Sequence, residues 1–244
     1  MIQNPRILFM GDSITALGTS ERGWVGYFNE IIKPSHFENV AVSGACWEDK
    51  NGTVYDGNPF FDINDRMLNN VMGNQVEKVL RAKEDGNQGY SDFDLIMIAA
   101  GTNWGDYITT EYINKINEYF LKEDGSVLPL DEVDRHSWAG AMRYVYEKLR
   151  EAYPDAAICY CSPIQGEENI RDYKTIRAKS IVMEEIVKRI SDVSFINTFM
   201  CGICGIYEKN GANGRDLIDG LHPNISGAKK IAKYNANAVK KLFI

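Results

Sequence analysis

The chain has 244 residues, a hydrophobic share of 44%, a charged share of 25% and a formal net charge of −7, with a pI near 5.1. Those values exclude a disordered chain and suit a soluble protein built on one sizeable core, so a single domain over 1–244 is expected. An acidic balance without Lys/Arg clusters among aromatics argues against nucleic acid as a partner, and the lack of any span-length apolar run argues against membrane insertion.

Residues 1–6 lack a basic region followed by a long apolar segment, which leads to an expectation of cytoplasmic location, although a chain already trimmed of a signal would read the same. Residues 6–10 predict a first strand, since Ile7-Leu8-Phe9-Met10 is the continuous apolar run of a strand buried on both faces. The run breaks into Gly11-Asp12-Ser13 where the strand should end. In open parallel sheets ligands bind beyond the strands' carboxyl ends, which makes Ser13 a candidate nucleophile; an ordinary Asx turn or helix cap would explain the triplet equally well on its own.

Trp24, Tyr27, Phe28, Ile31 and Ile32 predict a helix over 23–33, closed by Pro34. Val40-Ala41-Val42 reads as a second strand, followed by the small-residue turn Ser43-Gly44-Ala45. Glu48 to Asp65 is polar enough to be a long loop walling a cleft. Met67, Val71, Val76, Val79 and Leu80 predict a helix over 65–83, with an interruption allowed at Gly73. Residues 93–100 form the strongest buried strand and run into Gly101-Thr102-Asn103-Trp104.

Helices are predicted over 109–121 and 137–152, a fourth strand over 157–161, a helix over 170–190, a fifth strand over 193–197, and a last helix from just after Pro223 to Leu242. Strands alternate with helices throughout. That order predicts a parallel sheet with right-handed crossovers and helices on both faces, a three-layer α/β/α sandwich.

Five cysteines suit reduced thiols better than a disulfide framework. Cys201-Gly202-Ile203-Cys204 admits a redox or zinc reading, but no second pair completes a metal site, and Cys159 and Cys161 alternate as buried small hydrophobes do. Packing is the expectation, with surface or capping roles for His36 and His136.

Acyl transfer near neutral pH needs a nucleophile, a base, a group that holds the base in one tautomer, and donors for the oxyanion. Ser13 can supply the first, His222 the second and Asp219 the third, with Asp219 and His222 close enough in sequence to share one loop. The backbones of Ser13 and Gly44 and the Asn103 amide can supply donors. Each residue taken singly has an ordinary reading as a cap, turn former or packing group.

Together, in the order Ser, Gly, Asn, Asp, His, they resemble the SGNH hydrolases, also called the GDSL esterase/lipase family. Gly11-Asp12-Ser13-Ile14 is similar to that family's first block, Gly44 to its second, Gly101-Thr102-Asn103 to its third and Asp219-Gly220-Leu221-His222-Pro223 to its fifth. The resemblance implies a flavodoxin-like sandwich with a mainly five-stranded parallel sheet, a catalytic triad of Ser13, His222 and Asp219, an oxyanion hole of Ser13, Gly44 and Asn103, no metal or other cofactor, and hydrolysis of esters or thioesters. Ile14 replaces the Leu of the family's name, and Trp104 stands where an Asp commonly follows the third-block Asn. Asp12, Trp47 and Trp104, each next to a proposed catalytic or oxyanion residue or its turn, are the expected substrate contacts.

The expected activity is that of a serine esterase removing a short acyl group, acetyl above all, from a carbohydrate or small alcohol. A longer-chain lipase, lysophospholipase or thioesterase is the enzymatic alternative. A non-catalytic binding module on the same fold and a thiol redox protein acting through Cys201 and Cys204 are the others.

Overall fold

The structure, a computed structural model, describes residues 3–49, 71–105, 107–208 and 214–243. Its frame is one all-parallel sheet of β1 (Arg6–Gly11), β2 (His36–Asn39), β3 (Leu95–Ala99), β4 (Ala157–Cys161) and β5 (Val193–Ile196), in the spatial order β2-β1-β3-β4-β5. The helices are α1 (Ser13–Ala16), α2 (Trp24–Ile32), α3 (Met72–Glu84), α4 (Trp138–Ala152), α5 (Tyr173–Val187) and α6 (Ile225–Phe243).

Strand side chains alternate between faces, so each strand feeds two cores. Leu8, Met10, Ile96, Ile98, Ile158 and Tyr160 pack with residues of α3, α4 and α5 on one side. Ile7, Phe9, Leu95, Met97, Cys159 and Cys161 pack with residues of α2 and α6 on the other. The result is the three-layer α/β/α sandwich the alternation implied. Burial on both faces explains why β1, β3 and β4 read as apolar runs, each fully buried large side chain contributing about 1.5–3 kcal/mol.

Because the chain passes from β1 to β2 on one side and then to β3 on the other, the crevice of this strand order opens between the carboxyl ends of β1 and β3. Gly11 and Ala99 are register partners there. Ser13 leaves one strand and Asn103 follows the other.

Several boundaries differ from expectation. The second strand is His36–Asn39, ahead of Val40-Ala41-Val42. As a partly exposed edge strand, it carries no apolar signature. The Val40 and Val42 N–H groups still donate to the carbonyls of Phe9 and Gly11, both at 3.0 Å, so this segment follows β1 to its end. The helix expected over 65–83 is α3, whose first turn includes Gly73 without interruption; residues 65–70, like 50–65 of the expected long loop, lie outside the described residues.

Residues Thr110–Tyr119 form a 3₁₀ helix. At α6 the Asn224 side chain accepts from Gly227 N–H at 3.1 Å, which makes Asn224 the cap and places Pro223 before it. Cys46, Cys159, Cys161 and Cys201 are buried, Cys204 is half-buried, and burial pushes Cys161 up to about 12. Among the described residues no helix is long and apolar enough to cross a membrane.

Candidate active site

The nucleophile segment is shaped by a close backbone approach. A Cβ on Gly11 would lie 2.2 Å from the Ala99 carbonyl oxygen, so only glycine lets the ends of β1 and β3 meet. Asp12 then donates its N–H to that carbonyl at 3.3 Å, and its carboxylate accepts from Ile14 N–H at 3.0 Å, capping α1 with Ser13 as its first residue. Asp12 is only 2% exposed. Burial pushes its carboxyl above the ordinary range, against hydrogen bonds from Thr102 and Ile14 that favour the anion. Asp12, expected at the substrate, therefore points inward and ties the Ser13 turn to the third block.

The opposite wall is the loop before α6. One Asp219 oxygen accepts from the N–H groups of Leu221, at 3.0 Å, and His222, at 2.7 Å. The other faces His222 Nδ1 at 2.7 Å, and His222 Nε2 lies 2.9 Å from Ser13 Oγ. With the ring proton on Nδ1, directed at the carboxylate, Nε2 is left to accept from the serine hydroxyl. Partial burial opposes ionisation of Asp219, but the hydrogen bonds from His222 and Leu221 outweigh it and hold the carboxyl below its usual range.

This loop is braced from beneath. Ile218 N–H donates to the His222 carbonyl at 2.9 Å, closing the turn. Asp216, 1% exposed, accepts from Lys230 Nζ at 2.6 Å and Ser226 Oγ at 2.8 Å, while the Glu208 carboxylate accepts the N–H groups of Asp216 and Leu217. The Asp219 and His222 side chains thus stand on a fixed base.

Gly44 occupies the left-handed region, φ +79°, in a turn closed by Ala45 N–H to Val42 O at 3.1 Å. The N–H groups of Ser13 and Gly44 have no acceptor among the described residues. Asn103 Nδ2 donates to the Ala45 carbonyl at 3.0 Å, which joins the third block to the second and leaves the amide's other hydrogen for a ligand.

Trp104, at φ +51° and next to Asn103, is a 60% exposed residue, and its carbonyl accepts from the buried Lys179 ammonium. Trp47, the other expected contact, is 0% exposed and packs edge-on to Tyr160 at 5.1 Å. Past the Gly44 turn the chain enters the core layer, so Trp47 is a packing residue.

Sequence reasoning passed over Gln75. Its Oε1 accepts from Gly11 N–H at 3.0 Å and its Nε2 donates to Gly11 O at 2.9 Å, with the side chain fully buried. The available signal was an amide between Val71 and Val79 at helical spacing, on the stripe of α3 that faces the core.

Comparison with known proteins bears on the fold and the family. No curated protein matches the chain. Among solved structures it is similar to a possible lipase from Chitinophaga pinensis DSM 2588, at 16% identity and TM-score 0.59 over 98% of each chain. It is also similar to a family two carbohydrate esterase from Clostridium thermocellum in complex with cellohexaose, at 16% identity and TM-score 0.53, covering 99% of this chain and 65% of that one. A third is a carbohydrate esterase family 2 enzyme with a carbohydrate binding domain from Corynascus thermopiles, at 15% identity and TM-score 0.55, covering 99% and 67%. Such identities establish a common fold. The model of the GDSL-like lipase/acylhydrolase family matches residues 9–230, most of the chain, and the protein therefore belongs to that family.

Proposed function

We propose that the protein is a single-domain serine esterase that hydrolyses short-chain carboxylic esters, acetyl esters of a carbohydrate or small alcohol in particular. The observation that carries this reading is the chain Ser13 Oγ, His222 Nε2, His222 Nδ1, Asp219 Oδ2, with separations of 2.9 and 2.7 Å at its two hydrogen bonds. Ser13 Oγ attacks the carbonyl carbon as its proton passes to His222 Nε2. The tetrahedral oxyanion is met by the N–H groups of Ser13 and Gly44 and by the Asn103 amide. Collapse breaks the bond to the alkoxide, which takes the proton from His222. Water, deprotonated by His222, then cleaves the acyl-serine to release the carboxylic acid and restore the Ser13 hydroxyl. Asp219 stays ionised and stabilises the imidazolium.

The preference for a sugar ester is supported by the carbohydrate esterases of similar fold and by an exposed aromatic residue, Trp104, next to Asn103. A chain-length series of nitrophenyl esters together with acetylated xylan and cello-oligosaccharides tests it. The expected result is the highest kcat/KM on acetate and release of acetate from the sugars. A maximum at eight or more acyl carbons would favour the lipase alternative.

A further inference from the structure

Resting on the serine-esterase reading, we propose that Gln75 is a positioning residue for the nucleophile: its carboxamide pairs with both backbone groups of Gly11 at the end of β1 and sets the course on which the chain leaves Gly11 for Ser13.

β2 ends at Asn39, while β1 continues to Gly11. Val40 and Val42 still donate N–H groups onto β1, the second to the Gly11 carbonyl. The Gly11 N–H instead goes to the Gln75 side chain, whose own N–H₂ returns to the Gly11 carbonyl, so one carboxamide pairs with both backbone groups of this residue and shares the carbonyl with Val42. A side-chain amide has the same donor and acceptor pair as a peptide group, which is why Gln fits and neither Glu nor Leu would do both tasks.

The position matters because Gly11 ends β1 two residues before the catalytic serine. On its other side it is pinned by the close approach to Ala99, with Asp12 N–H on the Ala99 carbonyl. The same end of α3 also reaches the second block: Val71 bridges Cys46, and Met72 N–H donates to the Cys46 carbonyl at 3.0 Å. The start of α3 therefore braces both the Ser13 strand and the segment carrying Gly44. A shift of about 1 Å in a reacting group can cost on the order of 10²-fold in rate, and Ser13 Oγ must keep its place against both His222 and the carbonyl carbon.

The test measures kcat and KM for p-nitrophenyl acetate, and the rate of covalent labelling by an alkyl fluorophosphonate, in the parent, Gln75→Leu and the near-isosteric Gln75→Glu, each with its circular dichroism and thermal midpoint recorded. Both variants are expected to lose about 10–10²-fold in kcat and in labelling rate at pH 8, with KM within about twofold of the parent. In Gln75→Glu, kcat relative to the parent at the same pH should recover as the pH falls, because the protonated introduced carboxyl regains a donor for Gly11 O while still accepting from Gly11 N–H. Folded variants that react within about twofold of the parent overturn the proposal, as does a loss confined to KM or a Gln75→Glu ratio that does not change with pH. A parent that neither turns over ester nor takes the label overturns instead the serine-esterase reading on which the proposal rests.

Discussion

Replacing Asp219 with asparagine probes the catalytic loop with little change of shape. Oδ1 is held by two backbone donors, Leu221 N–H at 3.0 Å and His222 N–H at 2.7 Å, so the carboxamide oxygen must take that place. The amide nitrogen then falls where Oδ2 now faces His222 Nδ1 at 2.7 Å, and it can only donate. Nδ1 becomes the acceptor, and the ring proton moves to Nε2, pointed at Ser13 Oγ. The imidazole can no longer take the serine proton. In the chymotrypsin triad, which has this constellation on an unrelated fold, the same change costs about 10⁴ in kcat. A loss of about 10⁴, equivalent to about 5.5 kcal/mol, is therefore expected for D219N, with a thermal midpoint near that of the parent. Steady-state hydrolysis of p-nitrophenyl acetate measures the loss, and the ¹⁵N shifts of the His222 ring report the tautomer. A D219N enzyme within tenfold of the parent kcat would refute the assigned direction of the Asp219 to His222 hydrogen bond.

Asn103→Ala removes one oxyanion donor together with the link to Ala45, and kcat should fall by about 10²–10³ with a smaller change in KM, as read by steady-state kinetics. The activity should fall on acidification because a protonated His222 cannot accept from Ser13, as read by a kcat/KM profile on p-nitrophenyl acetate; Asp219 is held below the usual carboxylate range by its hydrogen bonds, whereas burial raises Asp12 at the Ser13 turn. Trp47→Ala should destabilise the fold by about 3–5 kcal/mol in urea denaturation, because the ring is fully buried against Tyr160, and kcat should be retained where the variant is folded.

What the sequence reveals of this molecule follows where each signal is physically local. β1, β3 and β4 lie between two helix layers and must be apolar throughout, so they announce themselves; β2, His-Phe-Glu-Asn on an edge, has no such obligation. Asp219 and His222 lie three apart and meet through one turn, which spacing alone makes plausible, whereas their meeting with Ser13 depends on the whole sheet. Trp47 and Trp104 each follow a proposed oxyanion segment, yet one chain path dives into the core and the other turns back at φ +51° toward solvent. Position in a motif does not carry that choice. Gln75 was hidden for a related reason: an amide on a core-facing helical stripe shows its purpose only once β1 and α3 are side by side.

Ser13 as the nucleophile of an ester hydrolase is the assignment on which the proposed chemistry turns. Its most direct test is the hydrolysis of p-nitrophenyl acetate by the parent and by Ser13→Ala, with the fold of each checked by circular dichroism. Turnover by the parent is expected, with a folded Ser13→Ala protein slower by at least about 10⁴-fold. A Ser13→Ala protein that hydrolyses the ester within tenfold of the parent rate would contradict it.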